Sequence, residues 1–251
     1  MRASSLMLLL TLAACGAPTM RGPASAPAPQ TAPAPAAARA TLPGALRWMR
    51  RSAEYRAIAR QTYALAAERL PALTQGLATG SWGVILDADE TVLDNGEYEQ
   101  RRAEVDSGYS AASWVAWVRE GSAPAVPGAA AYIAFAHSLG GRVVIVTNRA
   151  DSLCEPTRAN LARVGAPADL VLCQAPGSSD KNARFESVQR GTASTTLAAL
   201  TVVQWLGDNI QDFPRMTQAA RTDPAALARF GRDWFILPNP LYGSWERNPA
   251  S

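Results

Sequence analysis

Five short apolar runs limit what this chain can fold into. Gly83-Val84-Ile85-Leu86 leads into Asp87, and Arg142-Val143-Val144-Ile145-Val146 into Thr147. Leu170-Val171-Leu172 leads into Cys173, Val202 to Leu206 into Gly207-Asp208, and Trp234-Phe235-Ile236-Leu237 forms the fifth. Runs this short, apolar on consecutive residues rather than alternate ones, must be covered on both faces. The helical stretches between them supply that cover, which predicts an α/β fold with a Rossmann-like parallel sheet and helices on both sides. In open sheets of this kind ligands bind beyond the carboxyl ends of the strands. Three such ends carry Asp87, Thr147 and Asp208, so chemistry belongs there.

Ahead of the first run, Trp48, Tyr55, Ile58, Ala59, Tyr63 and Leu70 fall mostly on one helical face. This predicts one long amphipathic helix over residues 46–70, ended by Pro71. Residues 95–127, between the first and second runs, are too many for a simple loop and include Trp114 and Trp117. They predict a small cap over the site.

The first residues are of another kind. Arg2 precedes an apolar run from Leu6 to Leu12 that closes on Leu12-Ala13-Ala14-Cys15. A charged start, an apolar middle too short to span a bilayer and small residues before the cut make an export signal. The ending resembles a bacterial lipobox, in which the Cys15 thiol is acylated, although a plain secretory signal would share most of these features. Gly16 after the Cys favours the outer membrane. Residues 16–45 are rich in Pro, Ala, Ser and Thr and cannot bury enough apolar surface to fold, as suits a tether. The division is therefore signal and lipobox at 1–15, tether at 16–45 and folded domain at 46–251, with the domain held outside the cytoplasm. With Cys15 acylated, Cys154 and Cys173 are left as a pair. They open the helix after the second strand and end the third, close enough for a disulfide, or else they are two buried thiols.

Composition removes several kinds of chemistry. The formal net charge is only +3 and the chain contains one histidine, His137. No His-rich zinc site can be built from it, and no motif surrounds it. Lys is almost absent while Arg dominates, and no basic stretch is interleaved with aromatics, so a nucleic-acid polymer is not expected as partner. Oligomeric state leaves no mark in the sequence. Hydrolytic chemistry must rest on carboxylates, hydroxyls, Lys or Arg.

Those groups gather at the strand ends. In Asp87-Ala88-Asp89-Glu90-Thr91 two carboxylates at i and i+2, where the chain turns out of a strand, can face one small site. One can attack phosphorus while the other protonates the leaving oxygen. Their mutual repulsion is relieved by a divalent cation, and hard oxygen ligands at a phosphate site point to Mg²⁺. Thr147-Asn148-Arg149 offers a hydroxyl and an amide to phosphate oxygens, Lys181 can neutralise a phosphoryl group, and Gly207-Asp208-Asn209-Ile210-Gln211-Asp212 adds two carboxylates. Nucleophile, hydroxyl, Lys and acidic pair at successive strand ends are what phosphoryl transfer needs.

Taken together these motifs resemble the haloacid dehalogenase superfamily, and within it the class C acid phosphatases, the bacterial lipoprotein 5'-nucleotidases. The resemblance rests on Asp87 to Asn95, Thr147-Asn148-Arg149 and Gly207-Asp208-Asn209. Ser52-Ala53-Glu54-Tyr55 and Tyr242-Gly243-Ser244-Trp245-Glu246 support it, and it covers residues 46–247. It implies that Asp87 forms an aspartyl-phosphate and that Asp89 serves as acid, then as base for water. It further implies that Mg²⁺ is held by Asp87, Asp208 and the backbone carbonyl of Asp89. Asp212 would support from outside or through water, while Thr147, Asn148 and Lys181 would hold phosphoryl oxygens. The implied substrate is a small phosphomonoester, in the family a nucleotide whose base stacks on aromatics. Trp114 and Tyr242 occupy suitable regions, with Trp117 as competitor and core packing as the alternative for each. A phosphatase without nucleotide preference, and a non-catalytic lipoprotein on the same fold, are the competing expectations.

Overall fold

The computed structural model describes residues 42–249. Two helices open it, α1 (Gly44–Arg51) and α2 (Ala53–Thr74), so the single helix expected over 46–70 is broken at Ser52 and starts two residues early. Ser52 is extended, with φ −83° and ψ 147°, and its side chain accepts the Tyr55 N–H at 3.0 Å. A residue that serves as N-cap of the second helix cannot also continue the first. Nor does Pro71 end α2; it lies inside the helix, which runs on to Thr74. Its fixed φ suits a helix, and it withdraws only its own N–H near an end that has few bonds left to lose. Of the residues expected on the buried face, Tyr55, Ala59, Tyr63 and Leu70 are buried and Trp48 is half-buried, whereas Ile58 is exposed.

The sheet follows: β1 (Trp82–Leu86), β2 (Arg142–Ala150), β3 (Leu170–Gln174), β4 (Thr201–Gly207) and β5 (Trp234–Ile236). Every pair is parallel and the order is β3-β2-β1-β4-β5. β1 is central, with Leu86 opposite Ile145 on one side and Leu206 on the other. The ends of β1 and β4 and the late part of β2 therefore open side by side. Successive residues point to opposite faces and both faces are filled. Val84, Leu86, Val143 and Ile145 pack in a core with α2 and α5 (Ala129–Ser138), while Ile85, Val144, Val146, Phe185 and Trp205 form a second core on the other side. This accounts for the unbroken apolar runs.

The stretch between β1 and α5 forms two helices, α3 (Gly96–Glu104) and α4 (Ala111–Glu120). The remaining helices are α6 (Cys154–Arg163) after β2 and α7 (Asn182–Arg190) after β3. A disulfide joins Cys154 at the start of α6 to Cys173 in β3. Of the two states the sequence allowed for this pair, the bridged one is present. His137, in the last turn of α5 ahead of β2, pairs with Asp169 at 3.0 Å.

Candidate active site

Each strand end delivers its side chain through a specific local constraint. Asp87 directly follows β1 and its N–H donates to Leu206 O at 3.0 Å, tying it to β4. The chain then turns sharply: Glu90 has φ +51°, unusual for a residue with a side chain, and its N–H donates to Leu93 O at 2.8 Å. The Glu90 carboxyl is fully buried, accepts the Asn95 N–H at 2.8 Å, and is pushed well above the usual carboxylate range by burial and by Asp89 and Asp208. Glu90 thus holds the turn that aims Asp87 and Asp89. After β4, Gly207 is required by packing, since a Cβ there would lie 2.3 Å from the Cβ of Asp212. That absence lets Asp212, in the short helical turn Ile210–Asp212, fold back toward the sheet, where its Oδ2 accepts the Asn209 N–H at 2.9 Å.

Carboxylate oxygens of Asp87, Asp208 and Asp212 lie within 4.8 Å of one another. Lys181, the N-cap residue of α7 and the only lysine in the chain, donates its ammonium to Asp87 Oδ1 and, at 2.7 Å, to Asp212 Oδ1. Asp208 is held by Thr91 Oγ1 at 3.1 Å and Asn239 Nδ2 at 2.8 Å. Burial pushes the Asp87 carboxyl up to about 7, with Lys181 opposing and Asp212 and Asp89 adding to the rise. Burial also raises Asp208 well above the usual range, helped by Asp212 and Asp87. Burial works against the charge on Lys181, but Asp212 and Asp87 outweigh it and the group stays protonated. Three clustered carboxylates facing one ammonium leave negative charge uncompensated, and all their donor atoms are hard oxygens. The set fits a divalent cation. Asp212, expected among the metal-holding residues as an outer support or through water, stands beside Asp87 and Asp208.

Asp89 stands apart from it. Its carboxylate is held by Arg149 and by Asn95 Nδ2, the latter at 2.8 Å, and lies outside the group of carboxylates that approach one another. Thr147 is fully buried and its Oγ1 accepts the Arg149 N–H at 3.1 Å, with the hydroxyl hydrogen left over. Asn148 is exposed; its Nδ2 donates to Ser179 O at 3.0 Å and its Oδ1 accepts from Arg184.

Above these groups opens a cavity of about 550 Å³. Asp87, Asp89, Asn148, Arg149, Lys181, Asp208 and Asp212 form its polar end, and Tyr98, Tyr109, Trp114, Leu241 and Tyr242 its aromatic and apolar wall. Both expected aromatics, Trp114 and Tyr242, are present. Trp117 is not: it is buried, donates from Nε1 to Asn95 Oδ1 at 2.8 Å, and serves the core. The sequence reading missed Tyr98 and Tyr109. Tyr98 sits edge-on to Trp114 with ring centres 5.2 Å apart, and a tyrosine on a helix or in a loop carries no spacing that would single it out. Cys15 and the tether up to residue 41 lie outside the described residues. Among the described residues no helix is long and apolar enough to cross a membrane.

Comparison with known proteins bears on this geometry. Residues 8–245 match the model of a family described as HAD superfamily, subfamily IIIB (acid phosphatase). Among solved structures, the class C acid phosphatase from Bacillus anthracis is 30% identical, with a TM-score of 0.71 over 80% of this chain and 85% of that one. The same enzyme with tungstate bound is 29% identical over the same shares, also with a TM-score of 0.71.

Proposed function

The chain belongs to subfamily IIIB of the HAD superfamily, the acid phosphatases, and from that premise we propose that it hydrolyses nucleoside 5'-monophosphates with Mg²⁺ through an aspartyl-phosphate on Asp87. The observation that carries this reading is the carboxylate cluster bound to Lys181 at the floor of an aromatic-walled cavity. Asp87 Oδ attacks phosphorus and the bond to the leaving oxygen breaks, while Asp89 gives that oxygen a proton. Asp89 then takes a proton from water as the water oxygen attacks phosphorus and frees Asp87, releasing inorganic phosphate. Lys181, the hydroxyl hydrogen of Thr147 and the amide of Asn148 hold the phosphoryl oxygens.

Asp87, Asp208, Asp212 and the backbone carbonyl of Asp89 are the groups that would hold Mg²⁺. Bound there, the ion offsets the negative charge of the carboxylates and of the phosphoryl group. The B. anthracis relative was solved with tungstate bound, an oxyanion, which supports a phosphate-like ligand here too; a base stacked between Trp114 and Tyr242 would be joined to that phosphate through its sugar. The N-terminal pattern supports a further part of the proposal: acylation at Cys15 anchors the enzyme in the bacterial cell envelope, at the outer membrane, with its domain outside the cytoplasm.

A phosphate-release assay tests the catalytic reading. Nucleoside monophosphate hydrolysis should stop with a chelator and return with Mg²⁺, and Asp87→Asn should lose at least about 10³-fold in turnover with an unchanged melting curve. Chelator-resistant turnover, or an Asp87→Asn variant as fast as the parent, would rule the scheme out.

A further inference from the structure

Arg149 has no assigned part in phosphoryl transfer, and its surroundings give it one. The guanidinium side chain is 1% exposed, yet it lines the cavity floor. Its Nη2 donates to Asp89 Oδ1 at 2.7 Å, and its Nε lies 3.0 Å from Oδ1 and 3.2 Å from Oδ2. Asn95 Nδ2 adds a third donor to the same Oδ1 at 2.8 Å. The two oxygens of Asp89 are therefore unequal. Oδ1 accepts three good hydrogen bonds, whereas Oδ2 has one longer contact, at 3.2 Å, among the described residues, on a side chain that is 19% exposed and lines the cavity. An oxygen already accepting three donors is a poor place for a proton, so in a proton transfer through Asp89 the oxygen free to act is Oδ2.

The guanidinium is itself fixed from every side. Nη1 donates to Thr157 Oγ1 on α6 at 3.2 Å, and that hydroxyl donates to Leu153 O, just before the helix, at 2.8 Å. Nη2 also reaches Asn95 Oδ1 at 3.3 Å, and the guanidinium carbon lies 5.4 Å from the centre of the Trp114 ring. With Nε and both terminal nitrogens engaged in this way, little of Arg149 is left to bind a substrate phosphate.

We propose that Arg149 is the positioning residue of the reaction: by gripping Oδ1 it fixes the Asp89 carboxyl so that Oδ2 faces the leaving oxygen. In the first half-reaction the Oδ2–H proton passes to that oxygen as the bond from phosphorus to it breaks and the Asp87–phosphorus bond forms. In the second, Oδ2 receives a proton from the attacking water as the Asp87–phosphorus bond breaks. Oδ1 keeps its donors throughout, so the side chain need not rotate between steps. A carboxyl set loose from that grip would visit the leaving oxygen only part of the time.

This inference rests on the reading of Asp89 as proton donor, and leaving-group dependence tests both separately. Benzyl phosphate loses an alkoxide that needs a proton; 4-nitrophenyl phosphate presents a ring of similar size and loses a phenoxide that hardly does. kcat/KM reports only the steps up to alcohol departure, so the water step common to both esters drops out. In Arg149→Met the ratio of kcat/KM for benzyl over 4-nitrophenyl phosphate should fall about 10- to 100-fold, part of the roughly 10²- to 10⁴-fold that a proton donor supplies. Arg149→Lys, which keeps the charge but cannot fork onto one carboxylate, should fall in the same direction. Because the ratio is taken within one preparation, it is insensitive to how much of a variant has folded. Asp89→Asn provides the reference: a selective loss there without one in either Arg149 variant overturns the role of Arg149. No selective loss in Asp89→Asn overturns the reading of Asp89 beneath it.

Discussion

Lys181 would attract little notice by residue type alone, yet it is the one ammonium facing three carboxylates. Its position after the third strand, together with Asp87 and Asp208 at strand ends, could be read from order along the chain. The aromatic wall could be read only in part. Trp114 and Trp117 lie three residues apart on α4, close to one turn, and a helix of this length gives no hint which of the two faces the cavity. The fold turns Trp117 inward to Asn95 and leaves Trp114 on the wall. If Trp114 and Tyr242 stack on a base, Trp114→Ala and Tyr242→Ala should each lower kcat/KM for a nucleoside monophosphate about tenfold or more, in line with ~1–3 kcal/mol per stacked base. A simple aliphatic phosphate ester should be hydrolysed nearly as before. Equal losses on both substrates would favour a phosphatase indifferent to the base.

Among the elements, α6 has the most work to do near the site, since Thr157 on it holds Arg149. The disulfide from Cys154 to Cys173 ties the first turn of that helix to β3. The bridge spans 19 positions, and closing a loop of that size stabilises a fold by about 3 kcal/mol. Cys154→Ala with Cys173→Ala should therefore lose roughly that amount in urea unfolding, relative to the oxidised parent. A reduced parent as stable as the oxidised one would contradict this. Element boundaries were less legible than element types. The break at Ser52 is a matter of one side chain capping the next helix, and the passage of α2 through Pro71 depends on how few bonds remain in its last turn. Hydrophobic periodicity carries neither fact, because the buried face continues across the proline as though nothing had changed.

For the whole molecule the proposed anchor at Cys15 makes a prediction separate from those about the active site. If Cys15 carries the anchor, Cys15→Ser should move the protein from the membrane fraction to the soluble fraction after cell lysis while phosphate release per molecule is retained. Retention of the variant in the membrane would disprove the anchor.

The sequence by itself determined the parallel α/β architecture, because a strand apolar on consecutive residues has no stable place except between two layers. It also determined which carboxylates are candidates, because in such a sheet chemistry can only collect where strands end. The tertiary structure decided what each candidate touches. Asp212 enters the cluster because Gly207 lets it fold back, and Asp89 is held out of it by Arg149, some sixty positions further along the chain. Those pairings depend on angles and distances between strands, and a one-dimensional pattern fixes the order of residues without fixing which side chains meet.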